Sequence, residues 1–321
     1  MKAVVYDRHG GPEVLRYETV PDPVCHPKGV LIRVEAISIE GGDLLDRSGN
    51  FAPLGSEPLV MGRQAAGRII EVADQVEGLE VGQRVVAVRP NGSNAEFFAA
   101  PARTVWPVPD RLDLIRAATV PIAFGTAHEA LFHYAQLQRG ETVLVHGGGG
   151  AVGQAAIQFA RRHGAGLIIA TGSDSARLAS LDGLGLDQAL NHQACDVAAE
   201  VLRLTDGPGA PVIVDAIGGP MMQALLSAAG RGGRIIAVGQ ASRQPVVVSL
   251  ADLYRMGLTL KGLKLDIASS RVHAAITAAL NGCAAGDYVV AVDRTYPLSE
   301  AAAAHRHIES RRAAGRTVLL P

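Results

Sequence analysis

The chain has 321 residues, of which 48% are hydrophobic and 19% charged, a size and composition that suit two soluble globular domains. The formal net charge is −1, so nothing in the sequence favours nucleic acid or an anionic membrane surface as a partner. No apolar run approaches the roughly 18–20 residues that a membrane span requires. The polar start at residues 1–8 argues against a signal peptide and favours a first strand.

The three cysteines, Cys25, Cys195 and Cys283, are widely spaced and odd in number. This pattern argues against a disulfide framework and predicts a reducing, cytoplasmic environment. Because no Cys-x-x-Cys pair occurs, the sequence offers neither a four-cysteine zinc lobe nor a redox dithiol.

Residues 1–100 show a β-rich pattern, in which short apolar runs are separated by Gly, Pro and Asp turns. The runs at 30–34, 67–72 and 83–88 are predicted strands, and the charged stretch 41–50 is a predicted short helix or turn. We therefore expect the N-terminal third of the chain to form a domain built mainly from strands.

Beyond residue 113, predicted strands and helices alternate, and this alternation indicates βαβ units around a parallel sheet. Since such crossovers are right-handed, a doubly wound sheet is the expected arrangement. The predicted helices are 115–120, 126–138, 152–163, 174–183, 197–205, 219–229, 271–281 and 299–310. The predicted strands are 142–146, 167–171, 211–215, 233–238, 257–263 and 317–320.

A glycine-rich turn follows one of these strands and precedes a helix, and its Gly148-x-Gly150-x-x-Gly153 spacing is typical of dinucleotide binding. Gly148 permits a tight turn, Gly150 lets a pyrophosphate approach the backbone, and Gly153 lets helix and strand pack closely. The helix start, with Ala151 and Val152, offers N–H groups and the positive end of its dipole to the phosphates.

Two other interpretations of this turn are open. The glycines could form only a flexible turn. Gly148 and Gly153 also have the spacing of half a P-loop, but such a loop continues with Lys and Ser or Thr to hold phosphates and magnesium. Gln154 and Ala155 stand there instead, which argues against nucleotide hydrolysis.

Several short motifs follow one another along essentially the whole chain. They are Met1-Lys-Ala-Val, Gly11-Pro-Glu-Val-Leu, Asp43-x-x-x-Arg47-Ser-Gly, Val60-Met-Gly-x-x-Ala-Ala-Gly, Val81-Gly-Gln-Arg-Val, Gly125-Thr-Ala, the glycine turn, Tyr296-Pro-Leu-Ser-Glu-Ala and Gly315-Arg-Thr-Val-Leu. In these motifs and their order, the chain resembles the medium-chain dehydrogenase/reductase superfamily, and within it the zinc-free quinone oxidoreductases.

The resemblance implies a fold of class α/β, with a GroES-like β-rich catalytic domain and a Rossmann domain built on a doubly wound parallel sheet. The catalytic domain would be discontinuous, at 1–118 and 265–321, and the Rossmann domain would span 119–264. A cleft between the two would hold the nicotinamide. A homodimer through the edge strand near 257–263 is also implied, because pairing two open edges satisfies their hydrogen bonds.

Zinc-dependent members of the superfamily use a Cys, here expected near residue 40, and a His-Glu pair after a glycine. In this chain the cysteine is missing, the glycine is Gly62 and the pair is Arg63-Gln64, while His128 and His133 are poorly aligned on one helix face. Zinc needs three or four S, N or O ligands in tetrahedral reach, so we predict no metal.

Without a metal to stabilise an alkoxide, the easier reaction is hydride delivery to an acceptor that is already electron-poor. The cofactor carries the hydride, and the protein orients and supports it. Quinones and α,β-unsaturated carbonyls are therefore the expected small-molecule acceptors.

The end of strand 167–171 bears on the choice of nicotinamide cofactor. NAD-selective enzymes place a carboxylate there, but the position falls on Gly172, which is followed by Ser173 and then by Arg177. A hydroxyl and a guanidinium can bind the 2′-phosphate of NADP, and Arg177 matches a basic residue used for NADP in the family. We favour NADPH; the competing interpretation is that Asp174 binds NAD while Arg177 is solvated.

The resemblance implies further cofactor contacts. His192 follows Asn191 where relatives often have Tyr near the adenine ribose, and a plain loop histidine is the alternative. Arg316 matches a basic residue near the nicotinamide half or the phosphates. The remaining expected contacts are Thr126, before a helix facing the cleft, and the residues Ala216, Ile217, Gly239 and Lys264 at the ends of later strands.

Three residues, Glu40, Asp43 and Arg63, are predicted to line the acceptor pocket. Relatives generally have Asn at the position of Glu40. The Glu40 carboxyl can donate a proton only if burial raises its pKa. The alternative is that Glu40 points away from the pocket or pairs with Arg63. Asp43 and Arg47 are predicted to pair along a helical turn, which leaves Asp43 a supporting role. Arg63 either stabilises negative charge on a carbonyl or enolate oxygen or forms a salt bridge to Glu40 or Asp43. Phe51 matches an aromatic residue that walls the pocket.

The leading hypothesis is NADPH-dependent, zinc-independent reduction of quinones or other activated alkenes, with the proton supplied by water or a group in the cleft. One alternative is a metal-free carbonyl reductase or alcohol dehydrogenase. A second alternative is a family member that binds NADP without turning over a substrate.

Overall fold

The computed structural model of the protein describes most of the chain, namely residues 1–50, 55, 58–311 and 313–321. The chain divides into two compact units. The terminal unit combines residues 1–122 with 266–321, and the central unit comprises residues 123–265. In the described part of the chain, no helix is both long and apolar enough to cross a membrane.

Every apolar run predicted to be a strand forms one, and the structure adds further strands, some of them mostly polar. In chain order the strands are β1 (Lys2–Tyr6), β2 (Arg16–Thr19), β3 (Gly29–Ser38), β4 (Leu59–Val60), β5 (Gln64–Val72), β6 (Arg84–Val88), β7 (Phe97–Pro101), β8 (Val105–Pro107), β9 (Thr142–His146), β10 (Leu167–Gly172), β11 (Gln188–Asn191), β12 (Ala210–Asp215), β13 (Ala229–Ala237), β14 (Thr259–Gly262), β15 (Val292–Pro297) and β16 (Arg316–Leu320).

The α-helices vary from one turn to more than four. In chain order they are α1 (Gly41–Arg47), α2 (Leu114–Ala117), α3 (Val120–His128), α4 (Ala151–His163), α5 (Ser175–Ala179), α6 (Val197–Leu204), α7 (Met222–Ala228), α8 (Leu250–Met256), α9 (Ser270–Ala285) and α10 (Ala301–Glu309).

The sheet of the central unit is parallel, and its strand order is β11-β10-β9-β12-β13-β14. This is the order of a Rossmann fold, in which ligands bind outside the carboxyl ends of the strands where the order reverses. That reversal lies between β9 and β12, whose neighbouring last residues are His146 and Asp215. The predicted Rossmann fold is confirmed.

The terminal unit is built on a mainly antiparallel sheet with the order β15-β16-β3-β5-β6-β8, and β7 pairs with β3. β16 comes from the end of the chain and pairs with β3, so that Val318 lies opposite Ser38. This pairing carries Arg316, at the start of β16, to the end of β3, and it confirms the predicted β-rich fold.

Two elements of the central unit are absent from the predicted pattern. β11 is a short strand, half of it polar, with one buried residue, so it lacks the apolar pattern on which a prediction depends. α8 does have apolar residues at helical spacing, Leu250, Leu253 and Tyr254, and the prediction missed it. The predicted helix 126–138 also differs, because α3 continues into a π-helical segment, Glu129–Tyr134.

Candidate functional site

The predicted dinucleotide turn connects β9 to α4. Gly153, in the first turn of α4, packs directly on it: a Cβ added there would lie 2.4 Å from the carbonyl oxygen of Gly147. Gly147 has a φ of +86°, a conformation that favours glycine. Among the described residues, a Cβ on Gly150 would meet only the Gly147 carbonyl oxygen, at 3.3 Å. The rest of the space that a side chain at Gly150 would occupy is therefore open to an approaching phosphate.

Main-chain N–H groups at the start of α4 are placed to bind an anion. The first i to i−4 hydrogen bond of the helix runs from the N–H of Gln154 to the carbonyl oxygen of Gly150, at 2.9 Å. The N–H groups of Ala151, Val152 and Gly153 precede that bond and point out of the helix end. Gly150 is the N-cap residue, and since it has no side chain, no capping group competes with a phosphate.

Arg177 lies beside the glycine turn, not in bulk solvent. Its Nη2 donates a hydrogen bond to the carbonyl oxygen of Gly149 at 3.0 Å. Asp174, which the competing NAD interpretation uses, is the N-cap of α5 and accepts the main-chain N–H of Arg177 at 2.8 Å. The carboxylate is thus engaged by its own helix. Ser173, which precedes this cap, directly follows β10.

His192 directly follows β11, and its main-chain N–H donates to the carbonyl oxygen of Gly172 at 3.0 Å. The His192 ring faces the ring of His146, with 5.7 Å between the ring centroids. His146 and Thr171 are fully buried and are functional candidates that the motifs do not predict. A polar side chain near the end of an otherwise apolar strand is the signal that could have identified them.

Residues after β12 and β13 close the opposite side of the turn. Asp215 Oδ1 accepts the main-chain N–H of Ile217 at 2.9 Å, and a Cβ on Gly147 would lie 2.8 Å from Cδ1 of Ile217. A Cβ on Gly239 would lie 2.9 Å from the carbonyl oxygen of Ala216. The structure therefore brings the predicted residues Ala216, Ile217 and Gly239 together at the carboxyl ends of the strands.

Thr126 and Lys264 are the other predicted cofactor residues of the central unit. Thr126 is 5% exposed on α3, and Lys264 is exposed two residues beyond β14. Their cofactor roles stay predictions.

In the terminal unit, Glu40 is buried two residues beyond β3, with 5% of its surface exposed. Its Oε1 accepts hydrogen bonds from Ser38 Oγ at 2.7 Å and Gln64 Nε2 at 2.6 Å, and it forms an ion pair with Nη2 of Arg316. Burial raises the pKa of Glu40, while the Arg316 charge and the Ser38 hydroxyl oppose that shift. The ion-pair partner of Glu40 is Arg316, and not Arg63 as one interpretation has it.

Arg63 is paired with two carboxylates on α1. Its Nη2 binds Asp46, and its Nε lies 3.7 Å from Oδ1 of Asp43. Asp43 is 1% exposed and accepts the main-chain N–H of Glu40 at 2.8 Å. Burial raises the pKa of Asp43 to about 7, and burial next to Asp46 and Asp43 raises the pKa of Tyr6 to about 12. The three predicted pocket residues therefore do lie together, with the arginine ion-paired to Asp46 and near Asp43.

The predicted pairing of Asp43 with Arg47 is wrong, because Arg47 faces the other way. Its buried guanidinium pairs with Glu309 and donates to the carbonyl oxygen of Gly10 at 3.0 Å. His305 is also fully buried, and burial together with the Arg47 charge lowers its pKa to about 3. Among the described residues, neither ring nitrogen of His305 has a hydrogen-bond partner.

His305 should make the fold less stable in acid. Its pKa falls from 6.5 to about 3 on folding, so between these values the unfolded chain binds more protons and stability falls as the pH falls. At about 1.36 kcal/mol per pKa unit, the loss is roughly 2 kcal/mol at pH 5. We expect His305→Leu to lose less unfolding free energy than the parent between pH 7 and pH 5, as measured by urea unfolding.

Asp43 acts in the opposite direction, because its raised pKa lets the folded state bind more protons between 3.8 and about 7. The quantity to compare is therefore the change in unfolding free energy between pH 7 and pH 5, in the parent and in His305→Leu. The control is His133→Leu, which removes an exposed histidine and should keep the parent's pH dependence. The same pH dependence in His305→Leu and the parent would contradict the assignment.

The positions at which the resemblance places zinc ligands hold a donor set that does not fit zinc. A guanidinium such as that of Arg63 has no lone pair to give a metal. The Gln64 amide donates to Glu40 and accepts the main-chain N–H of Ile122 at 3.1 Å. Within the described residues, no group of three or more His, Cys, Asp or Glu side chains could hold a metal ion. Phe51, the predicted pocket wall, lies outside the described residues.

Two family models match the chain. The model described as an alcohol dehydrogenase GroES-like domain matches residues 26–110, and the model described as a zinc-binding dehydrogenase matches residues 151–294. A quinone oxidoreductase from Sus scrofa is 32% identical, with 100% of this chain and 98% of that protein covered.

Solved structures of similar proteins agree with the fold over its full length. A mycobacterial protein complexed with NADPH is 32% identical, with a TM-score of 0.93 and 100% of both chains covered. The Escherichia coli quinone oxidoreductase complexed with NADPH is 26% identical, with a TM-score of 0.94 and 100% of both chains covered. The chain therefore belongs to the medium-chain dehydrogenase/reductase superfamily, is of the quinone oxidoreductase type, and is an NAD(P)H-dependent oxidoreductase.

Proposed function

We propose that this protein reduces quinones and other activated alkenes with NADPH and works without zinc. The observation that carries the proposal is the glycine turn at the start of α4, with the Arg177 guanidinium 3.0 Å from the carbonyl oxygen of Gly149. The two relatives solved with NADPH support the choice of cofactor. The Arg63-Gln64 pair, which cannot replace a His-Glu pair as metal ligands, supports the zinc-independent reaction.

NADPH, when bound, supplies a hydride at its nicotinamide ring. The N–H groups of Ala151, Val152 and Gly153 would bind the pyrophosphate, and Gly150 would leave room for it. A 2′-phosphate would be bound next to the turn by Ser173, Arg177 and His192. The other residues proposed to contact the cofactor are Thr126, Gly148, Ala216, Ile217, Gly239, Lys264 and Arg316.

On the acceptor side, a quinone or enone oxygen gains negative charge as the hydride adds to the conjugated carbon. Arg63 would stabilise that charge, because its side chain is still 19% exposed while Asp46 and Asp43 hold it in place. Glu40 is already engaged by Arg316 and Gln64, so it is poorly suited to donate a proton. We therefore propose that solvent supplies the proton.

Removal of the Arg63 charge should slow the reduction of a neutral enone. Loss of one preorganised donor to a developing oxyanion costs about 10²-fold in rate, so Arg63→Ala should lower kcat/KM by about that factor. Arg63→Lys keeps the charge without the planar fork and should retain more activity.

The matched control is Arg68→Ala, which removes an arginine of the same unit that is 51% exposed and ion-paired with Glu35 at 3.2 Å. Its kcat/KM should equal that of the parent. An unchanged kcat/KM in Arg63→Ala would mean that this arginine serves only its ion pairs with Asp46 and Asp43.

The substrate class is tested by offering a quinone, a neutral enone, a simple ketone and a simple alcohol to the purified protein. Reduction of the quinone or the enone with NADPH, without turnover of the ketone or alcohol, is expected. Oxidation of the alcohol would favour the metal-free alcohol dehydrogenase. Tight NADPH binding without turnover of any acceptor would favour the non-catalytic alternative.

We also propose a homodimer formed through β14, the edge strand of the central sheet. An edge strand has open hydrogen-bonding groups, and the adjoining segment exposes the apolar side chains of Val247, Leu250 and Tyr254, which are 78%, 75% and 72% exposed. Pairing with a second copy would cover both features. Sedimentation at the assay concentration should give twice the mass of the chain, and a monomer would contradict the proposal.

A further inference from the structure

Three polar side chains form a row across neighbouring strands of the central sheet. Thr171 on β10 lies opposite His146 on β9, and His146 lies opposite Asp215 on β12. All three are at most 1% exposed. We call them the strand-end row, since they lie where the sheet reaches the glycine turn.

One side of the row holds the first residues of the turn. The Thr171 hydroxyl oxygen lies 2.6 Å from Nδ1 of His146, within hydrogen-bond distance. The carbonyl oxygen of the same threonine accepts the main-chain N–H groups of Gly147 and Gly148, both at 3.0 Å. The residue that orients the imidazole therefore also fixes the two glycines that begin the turn.

The other side of the row holds the loop that packs on the turn. Asp215 Oδ1 accepts the main-chain N–H groups of Ile217 and Gly218, both at 2.9 Å. Ile217 lies against Gly147, whose added Cβ would come within 2.8 Å of it. A shift of Asp215 would therefore move the residue against which the turn is packed.

The strand-end row also contains buried polar side-chain atoms that have no hydrogen-bond partner among the described residues. These atoms are His146 Nε2 and Asp215 Oδ2. Burial lowers the pKa of His146, with Asp215 opposing the shift and His192 adding to it, which favours a neutral ring with one donor and one acceptor. Buried polar atoms of this kind are rare in a purely structural core.

We propose that Thr171, His146 and Asp215 are positioning residues that hold the glycine turn in the conformation that binds the dinucleotide. The inference rests on the proposed function, and it assigns to the row an effect on cofactor affinity and not on the chemical step. Variants of the row should then change Kd and KM for NADPH while kcat and KM for the quinone stay constant.

The test is Thr171→Val, which keeps the shape of the side chain and replaces its hydroxyl with a methyl group. Fluorescence titration should show a Kd for NADPH raised about tenfold, the usual effect of losing about 1.4 kcal/mol, with an equal rise in KM and an unchanged kcat. Thr171→Ser restores the hydroxyl and should restore most of the affinity. The control is Thr104→Val in the terminal unit, where a buried threonine donates to the carbonyl oxygen of Pro101 at 3.1 Å.

A lower melting temperature of Thr171→Val with an unchanged Kd for NADPH would overturn the inference, because that result describes a merely structural threonine. If Thr171→Val fails to fold, His146→Leu provides the second variant: it removes the ring nitrogen that lies 2.6 Å from the Thr171 hydroxyl, so a Kd for NADPH raised about tenfold is expected, and a parent-like Kd would overturn the inference. A parent that binds only NADH refutes the proposed cofactor, and the row is then tested by NADH titration.

Discussion

Replacement of Gly153 by alanine should abolish measurable NADPH binding. The new Cβ would lie 2.4 Å from the carbonyl oxygen of Gly147, 2.7 Å from Cα of Gly148 and 2.8 Å from its carbonyl oxygen. All three neighbours are main-chain atoms, so α4 must move away from β9 and its N–H groups leave the phosphate position. We expect the Kd from fluorescence titration to rise at least a hundredfold, which corresponds to about 2.8 kcal/mol, and the melting temperature to fall.

The variant Gly150→Ala tests phosphate binding at the turn without disturbing how the turn packs against α4. Among the described residues, its Cβ would approach only the Gly147 carbonyl oxygen, at 3.3 Å, so the variant should melt close to the parent while the methyl group still obstructs the pyrophosphate. Gly262→Ala is the control, since a Cβ there meets nothing described within 4 Å. Parent-like NADPH affinity in Gly153→Ala would mean that the dinucleotide does not bind at this turn.

Replacement of Arg177 by alanine should sharply lower the preference for NADPH over NADH. A hydrogen bond to a charged group contributes about 1.5–3 kcal/mol, so we expect kcat/KM for NADPH to fall about 10- to 100-fold. The value for NADH should change less than about threefold, because NADH lacks the 2′-phosphate that a guanidinium binds. The measurement is the ratio of the two kcat/KM values in the parent and the variant.

The control for this variant is Arg203→Ala on α6, which removes an arginine that is 66% exposed and bound to Glu200 at 2.9 Å. Its cofactor preference should equal that of the parent. An equal fall in kcat/KM for NADPH and NADH in Arg177→Ala would assign this arginine to the glycine turn, through Gly149, and not to the 2′-phosphate.

Much of the fold follows from local patterns in the sequence. The apolar run 142–146 predicts β9 with the bounds that the structure has, and the pattern 152–163 predicts α4 to within one residue. Both succeed because a buried parallel strand and an amphipathic helix carry their own periodicity. The glycine spacing predicts the turn between them for a similarly local reason, since backbone geometry and close packing require those residues.

The acceptor side could not be predicted in the same way, because its contacts join distant parts of the chain. The partner of Glu40 is Arg316, which β16 brings to the end of β3. Likewise, the spacing of Asp43 and Arg47 suits a pair on one helix turn, but Arg47 binds Glu309 on α10 instead. Which of several oppositely charged residues a side chain meets is decided by tertiary packing, which the spacing of residues along the chain does not reveal.

The strand-end row is a third case: its residues can be singled out in the sequence, but their proximity to one another cannot be predicted from local patterns. His146 and Thr171 are visible in the sequence as polar residues near the ends of apolar strands. Only the parallel register of β9, β10 and β12 places them in one row with Asp215. The sheet order therefore turns three separate residues into one polar cluster beneath the glycine turn.

The most direct test of the central proposal is the initial rate of NADPH oxidation with a simple quinone, measured beside NADH and with and without a metal chelator. We predict a fast rate that prefers NADPH and that the chelator leaves unchanged. A rate that the chelator abolishes, or one that prefers NADH, would contradict the zinc-independent, NADPH-dependent reductase proposed for this protein.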